Sequence, residues 1–438
     1  MSNQTATSFW NIPNNLKYDE PIDEQSPLFV DTAEARGNFS FNRIYKSLFL
    51  DPSSLTFKGS LPYRVYQLFL GHRGCGKSTE LRRLSHILNH PERFFVIFLD
   101  VPSVLDINNL HYADILLALA AALLEKLESE SFSLPDTYLE HLLIWFDERV
   151  EKHERTKEYA ADIKTGLQAE TGLPFLAKLF AAITTSFRVN STYKEEVRTV
   201  VKNSFSQFAA AFNVLIAATN EQIKYDEVGH CLLFVVDGTD RLGQADSRRF
   251  FIDDAYQLQQ IEGNFIYCAP IQLSHEEGQV NEAFKSLILP MIKLREKHDS
   301  TPLPVAYAAM REMVYRRIDP SLFDAETTVD ILIEHSGGNP RHLIRLLDYT
   351  FQDAEGESLD LAAAQKAVKR LANDLRRILN TTDYPLLKQI DGCDDEINDD
   401  RVRHLLYNLA LLEYNDYWRL THPAVRTLDA YNRAAPTA

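Results

Sequence analysis

Four apolar runs in this chain are short and rich in β-branched and aromatic side chains, a pattern that predicts buried strands. They are Val65–Leu70, Phe94–Val101, Cys231–Asp237 and Phe265–Leu273, with a short fifth expected at Met291–Leu294. The first run leads through a glycine-rich turn into Leu81, Leu84, Ile87 and Leu88, which have the spacing of one helix face. About 130 residues separate the second and third runs, and most of them read as helix. Leu116–Leu127 is apolar on more than one face, and Leu139–Phe146 continues the pattern. Residues 153–170 are charged, a loop or an exposed helix. Glu195–Ile223 carries Val197, Val200, Val201, Phe205, Phe208, Phe212 and Leu215 at helical spacing. Alternating strands and helices predict an α/β fold, a three-layer core around a parallel sheet. A large helical insertion over about residues 105–230 interrupts it, either as a packing subdomain or as a seat of specific contacts.

Beyond Pro302 the pattern changes. Val305–Ile318, Thr327–His335, Arg341–Ala354 and Leu361–Ile378 read as four helices, one break falling at Gly337-Gly-Asn-Pro340. Tyr384–Ile390 and Asp400–Leu411 read as further helices. Leu411–Tyr414 and Tyr417–Thr421 read as two short strands around Asn415-Asp416. Helices followed by a small hairpin predict a winged helix. Ahead of the first strand, Arg36–Phe49 is helical or loop-like. Four segments follow: an N-terminal arm (1–60), a core (61–300), a helical segment (301–375) and a winged-helix-like end (376–438).

With 438 residues, of which 45% are hydrophobic, two or three domains are expected. The net charge of −16 removes any general affinity for nucleic acid or an anionic membrane, leaving open a local basic surface. Cys75, Cys231, Cys268 and Cys393 lack zinc or redox spacing and are expected as reduced thiols. Met1-Ser-Asn-Gln-Thr lacks the basic start of a signal peptide, and Ile115–Leu124 and Leu173–Thr184 are too short to span a bilayer. A soluble, cytoplasmic protein is expected.

The turn after the first strand reads Gly71-His-Arg-Gly-Cys-Gly-Lys-Ser78, filling G-x-x-x-x-G-K-[ST] at every fixed position, between a strand and a helix. Glycines let backbone N–H groups close around an anion at the positive end of a helix. Gly71, His72, Arg73, Gly74, Cys75, Gly76, Lys77, Ser78 and Thr79 are the candidate phosphate contacts, with Lys77 reaching the β- and γ-phosphates and the Ser78 hydroxyl binding Mg²⁺. Such a loop next needs an acid at the end of a strand. Asp237 is that acid, and its carboxylate can hold a water of the Mg²⁺ shell. Gly238 follows it, so the nearest second carboxylate is Asp240, a candidate general base or water-orienting group, or else the cap of the next helix.

These residues resemble the STAND branch of P-loop ATPases, which lies close to AAA+ and includes the NACHT group. The loop is one match. Phe234-Val-Val-Asp-Gly-Thr-Asp-Arg241 is similar to the NACHT acid box, with Arg241 where a second acid usually stands. Ser336-Gly-Gly-Asn-Pro-Arg341 looks like the Gly-x-Pro-Arg segment of AAA+ initiator-type and STAND lids. By that resemblance Arg341 senses the γ-phosphate; the plainer reading is a helix-start arginine facing solvent. The resemblance implies an ATPase core, a helical lid and a winged helix. Many relatives carry a glutamate at the position of Gly238 and a polar sensor near Ala269-Pro270. Gln272 and Ser274 are the nearest substitutes for the sensor. Arg248 and Arg249 are candidate fingers toward a neighbouring subunit, or are solvated.

The resemblance implies ATP and Mg²⁺ as cofactors and slow hydrolysis of ATP to ADP. It also implies a nucleotide-operated switch in bacterial signalling or anti-phage defence, as a homo-oligomer or with a separate effector protein. The alternative is a DNA-associated AAA+ ATPase, similar to initiators or transposition regulators, acting through the winged helix. From Leu375 onward, however, eight Lys/Arg face ten Asp/Glu, and Asp394-Asp-Glu-Ile-Asn-Asp-Asp400 repels phosphates. A small-molecule kinase would use the same loop, but no acceptor site is visible. No guanine-reading Asn-Lys-x-Asp segment is present, so ATP rests on the resemblance.

Overall fold

The computed structural model describes residues 5–59, 64–153, 156–167, 171–393, 397–415 and 418–435. The expected boundary near residue 60, parts of 153–170, Asp394–Glu396 of the acidic run, and Asp416 and Tyr417 at the expected hairpin tip lie outside them.

Five strands form one all-parallel sheet: β1 Tyr66–Gly71, β2 Phe94–Asp100, β3 Cys231–Asp237, β4 Phe265–Pro270 and β5 Lys285–Ile288, in the order β2-β3-β4-β1-β5. The first four strands are the four predicted runs, except that the last ends at Pro270, where Ile271–Glu276 turns into a 3-10 helix. They read as continuous apolar stretches because both faces are covered. Side chains alternate between two cores. Leu68, Leu70, Ile97, Phe234 and Tyr267 face the insertion helices, while Phe69, Val96, Val235 and Ile266 face the Lys77–Leu88 helix through Leu81, Leu84 and Leu88. Helices therefore cover both sides, the arrangement of an α/β protein. The register aligns Asp100 with Asp237, putting the carboxyl ends of β2 and β3 side by side.

The fifth strand is not at Met291–Leu294. It is Lys285–Ile288, an edge strand with a partly exposed face. Pro290 lacks the N–H that a ladder needs, so the apolar residues after it run as a buried loop, Met291 and Ile292 filling cores. The run at Glu195–Ile223 is two helices, Ser191–Asn203 and Phe205–Tyr225. Ser204 breaks it: φ is −118°, and its hydroxyl donates to the Val200 carbonyl while accepting from the Trp145 indole N–H. Residues 153–170 contain the Lys157–Gly166 helix.

A buried charge cluster pins the insertion. Asp114 is fully buried in the first turn of the Tyr112–Ser129 helix; it accepts from the His111 N–H at 3.0 Å and from Arg198 Nε at 2.9 Å. Asp114→Ala leaves the buried Arg198 with the half-exposed Glu195 as its one carboxylate and the Asn109 carbonyl as a dipole without charge. An unfolding free-energy loss of about 3–5 kcal/mol is expected in urea titrations; a loss under about 1 kcal/mol would show the cluster holds nothing.

Helices Pro304–Tyr315, Glu326–Ser336, Pro340–Asp353 and Leu361–Arg376 follow, then Asp383–Gly392, Asp400–Tyr407 and the antiparallel pair β6 Leu411–Glu413 and β7 Arg419–Thr421. They share one core, joining Met310, Leu332, Leu343 and Leu371 to Leu405, Leu411 and Val425. The segment before the sheet packs there too, through Ala6, Phe9, Ile12 and Leu16. Among the described residues no helix is long and apolar enough to cross a membrane.

Candidate functional site

The glycine loop runs from the end of β1 into the Lys77–Leu88 helix. The N-cap is Gly76, at φ +106° with no side-chain cap, which leaves the first-turn N–H groups for an anion. Lys77 is buried, and its ammonium donates to the carbonyls of Gly71 and His72, both at 2.8 Å, and pairs with Asp240 at 2.8 Å. Ser78 Oγ donates to Asp237 Oδ1 at 3.0 Å, and the same oxygen accepts the Gly238 N–H at 2.8 Å. The residues singled out at two distant places in the sequence thus meet at one point.

The two carboxylates titrate apart. Burial, then the neighbouring charge of Asp240, pushes Asp237 above the usual carboxylate range. Burial also works against the Asp240 anion, but the Lys77 ammonium outweighs it and holds Asp240 below that range. Lys77 stays charged for the same reason, Asp240 overcoming the cost of burial. Ligand atoms of Asp237, Asp240 and Cys268 lie within 4.8 Å of one another. Burial drives the Cys268 thiol well up, so it remains protonated and is no ligand for a hard cation. Ser78 and Asp237 are left as an oxygen pair of the chemistry that Mg²⁺ takes.

The glycine at position 238 has a steric cause. Gly238 sits at φ +86°, and a Cβ there would come within 2.3 Å of Pro102 Cδ. No glutamate fits, and the nearest carboxylate is on the turn Thr239–Arg241. Asp240 does not cap the next helix, Gln244–Arg248, whose N-cap is Gly243.

Three segments outside the sheet touch the loop. From the Pro340–Asp353 helix, Asn339 Nδ2 donates to the Arg73 carbonyl at 3.0 Å and the Arg341 N–H to the Gly74 carbonyl at 3.3 Å. The approach is so close that a Cβ on Gly74 would lie 2.6 Å from Arg341 Cβ. From β6, the Glu413 N–H donates to His72 Nε2 at 2.8 Å, and burial holds the His72 pKa down at about 4, which keeps the imidazole a neutral acceptor. From the N-terminal segment, the Ile22 N–H donates to Thr79 Oγ1 at 3.2 Å, and the buried Arg36 donates to the Cys75 carbonyl at 2.6 Å.

These surfaces enclose a cleft of about 100 Å³ between the loop, residues 17–22, Asp240, Arg241 and Pro340, Arg341 and Ile344. Arg341 lines this cleft with part of its side chain still in solvent, its Nε donating to the Tyr18 carbonyl at 3.3 Å and lying 3.8 Å from Asp19. Gln272 is buried with neither amide atom partnered among the described residues, whereas Ser274 Oγ donates to the Ile271 carbonyl. Of the two sensor candidates, Gln272 is the one with free polar atoms. Arg248 pairs with Glu276, and Arg249 with Asp246 at 2.9 Å, so both are engaged within the chain. Cys75, Cys231 and Cys268 are buried free thiols.

Sequence reasoning did not find the cleft contacts Tyr18 and Ile22, nor the roles of Arg36 and Glu413. Each acts through a backbone atom or on a backbone carbonyl far along the chain, and no residue pattern announces such a contact. No protein-family model matches the chain, and no curated protein matches it.

Proposed function

We propose that the protein is a P-loop ATPase of STAND type acting as a nucleotide-operated switch. The observation that carries this reading is the convergence on one glycine loop of a lysine–acid pair, a serine–acid pair and hydrogen bonds from three segments outside the core. Lys77 and the loop N–H groups bind the phosphates, Ser78 and Asp237 hold Mg²⁺, and Asp240 serves as the counter-ion of Lys77 and orients the attacking water. Bound Mg²⁺ supplies charge neutralisation at the β- and γ-phosphates. Arg341 and Gln272 report on the γ-phosphate, and Tyr18, Ile22, Pro340 and Ile344 offer apolar surface to the base. The helices from Pro304 to Arg376 act as the lid and those from Asp383 onward, with the β6–β7 hairpin, as the winged helix. Both read the loop directly, the lid through Asn339 and the hairpin through His72. Output passes to a second copy or a separate effector, in cytoplasmic signalling or defence.

A cleft of about 100 Å³ is smaller than the several hundred Å³ of ordinary ligand sites, so residues 17–22 move outward when a whole nucleotide enters. The test is ATP and ADP binding, hydrolysis and solution mass with Mg²⁺, for the wild type beside Lys77→Ala. Saturable binding, slow turnover and a nucleotide-dependent assembly state are expected, with affinity at least about a hundredfold weaker in Lys77→Ala from loss of a charge-assisted phosphate contact. A wild type that binds neither nucleotide would refute the ATPase; binding with identical mass and partner affinity in both proteins would refute the switch.

A further inference from the structure

We propose that Arg241 is a catalytic arginine supplied from within the chain: its guanidinium binds the γ-phosphoryl oxygens of the nucleotide and takes up the charge that builds on them during transfer to water. The proposal rests on the nucleotide reading above and adds a residue to it.

Arg241 lines the cleft at the glycine loop, on the turn Thr239–Arg241 that also carries Asp240. The turn is fixed at both ends. The buried Thr239 hydroxyl donates to the Cys268 carbonyl on β4, and the Leu242 carbonyl accepts from the Tyr407 hydroxyl at 3.0 Å.

Charge in the cleft is unequal, since five cationic side chains line it against three carboxylates. Lys77 holds Asp240 at 2.8 Å, Lys17 holds Glu20 at 3.2 Å, and Arg341 stands 3.8 Å from Asp19. Arg73 lies over the Tyr407 ring, 5.5 Å from its centroid. Among the described residues the part-buried Arg241 side chain is the one cation of the five that meets no carboxylate, carbonyl or ring. Its charge is nonetheless felt by two neighbours. Against the cost of burial, Lys77 and then Arg241 and Arg73 hold Asp240 low, while burial, reinforced by Arg241 and Arg73, pushes Arg341 below the ordinary arginine value. These are the two groups to which the nucleotide reading gives the γ-phosphate and the water. Like charges gathered in a part-buried cleft repel one another, and an anion among them relieves the repulsion. The other arginines after the acid box are committed, Arg248 to Glu276 and Arg249 to Asp246.

In the step served, a water oxygen bonds to the γ-phosphorus and the bond from that phosphorus to the β–γ bridging oxygen breaks. The bridging oxygen leaves on ADP with the electron pair, and both water protons leave on the released phosphate. The charge on the γ-oxygens is what a planar guanidinium, with its fork of donors, neutralises.

The test sets Arg241→Ala and Arg241→Lys beside the wild type. ADP affinity, which checks that the fold and the site are intact, should stay within about threefold, while single-turnover hydrolysis of ATP slows about a thousandfold. Lysine, a point charge without the fork, should recover little of it. Trapping of ADP with aluminium fluoride, a mimic of the transferring phosphoryl group, should be lost in both variants, a readout that does not depend on turnover. Arg241→Ala mixed with Lys77→Ala should remain inactive; recovery would place the arginine across a subunit boundary and overturn the in-chain assignment. Wild-type hydrolysis and trapping in Arg241→Ala would overturn the proposal and leave the nucleotide reading standing. A wild type that binds no nucleotide would overturn both.

Discussion

Asp240→Ala is expected to destabilise the nucleotide-free protein by about 3–5 kcal/mol, because it strands the Lys77 ammonium in a buried site. The remaining partners of Lys77, the carbonyls of Gly71 and His72, supply dipoles and no charge. Under the nucleotide reading, phosphate takes over as the counter-ion. ADP should therefore raise the melting temperature of the variant more than that of the wild type, even as turnover falls by about a hundredfold or more with loss of the water-orienting carboxylate. Asp240→Asn separates the two effects, since it keeps a hydrogen-bond acceptor and removes the charge. Thermal melts with and without ADP, beside steady-state hydrolysis, decide the matter. An unchanged melting temperature would show that the pair holds nothing. Unchanged turnover would remove Asp240 from the chemistry and leave it as a counter-ion only.

Acidification should be the second large effect. His72, His342 and His422 are buried and neutral. Burial lowers the first to about 4 and the second to about 3, and holds the third well below the ordinary value of 6.5. Neighbouring cations, Lys77 for His72 and Arg345 and Arg341 for His342, push the same way. A ring–ring hydrogen bond of 2.8 Å joins His342 to His422, which requires at least one of them uncharged. An unfolded chain takes up these protons as pH falls through about 6.5, and the folded chain does not until it reaches the lowered values. The unfolded state thus binds more protons across that window, and stability drops with falling pH by about 1.4 kcal/mol per unit for each imidazole, roughly 4 for the three. Asp240 and Glu413, held below the carboxylate range, add a loss of the same sign at lower pH. Asp237, held above it, opposes them. Denaturant midpoints between about pH 7 and about pH 5 measure this. A flat profile there would mean the three rings are not buried and neutral as drawn.

The first four strands and the helix after the glycine loop were legible because their information is local: unbroken apolar runs and a one-face helical period. Cys231–Asp237 is observed over the predicted residues. The edge strand Lys285–Ile288 was not legible, since a half-exposed strand of four residues has neither a run nor an alternation, while the buried loop after Pro290 mimics one. Ser204 hid a break because a serine that bonds back to its own helix reads like any helical serine. In the site, the residue types of Lys77, Ser78 and Asp237 declared themselves. The reason Gly238 is glycine did not, since it lies in Pro102, on a neighbouring strand's exit. The His72–Glu413 and Ile22–Thr79 contacts span 341 and 57 positions and each uses one backbone N–H, which every residue carries.

The order in which the N-terminal segment meets the rest of the molecule has a kinetic meaning. Phe9 packs on Phe351 and Asn15 Nδ2 donates to the Arg317 carbonyl, both on the helical side; residues 17–22 then cross the cleft, and Arg36 is sunk against the loop. The segment is a strip fastened at both ends with the cleft beneath its middle. Such a strip does not swing on one hinge. It bows, or it peels from one end, surrendering either the aromatic seat at Phe9 or the Arg36 contacts with the loop. Under the nucleotide reading, the lifetime of a ligand beneath it is set at these two fastenings, Phe9 on Phe351 and Arg36 on the loop, as well as at the phosphate contacts.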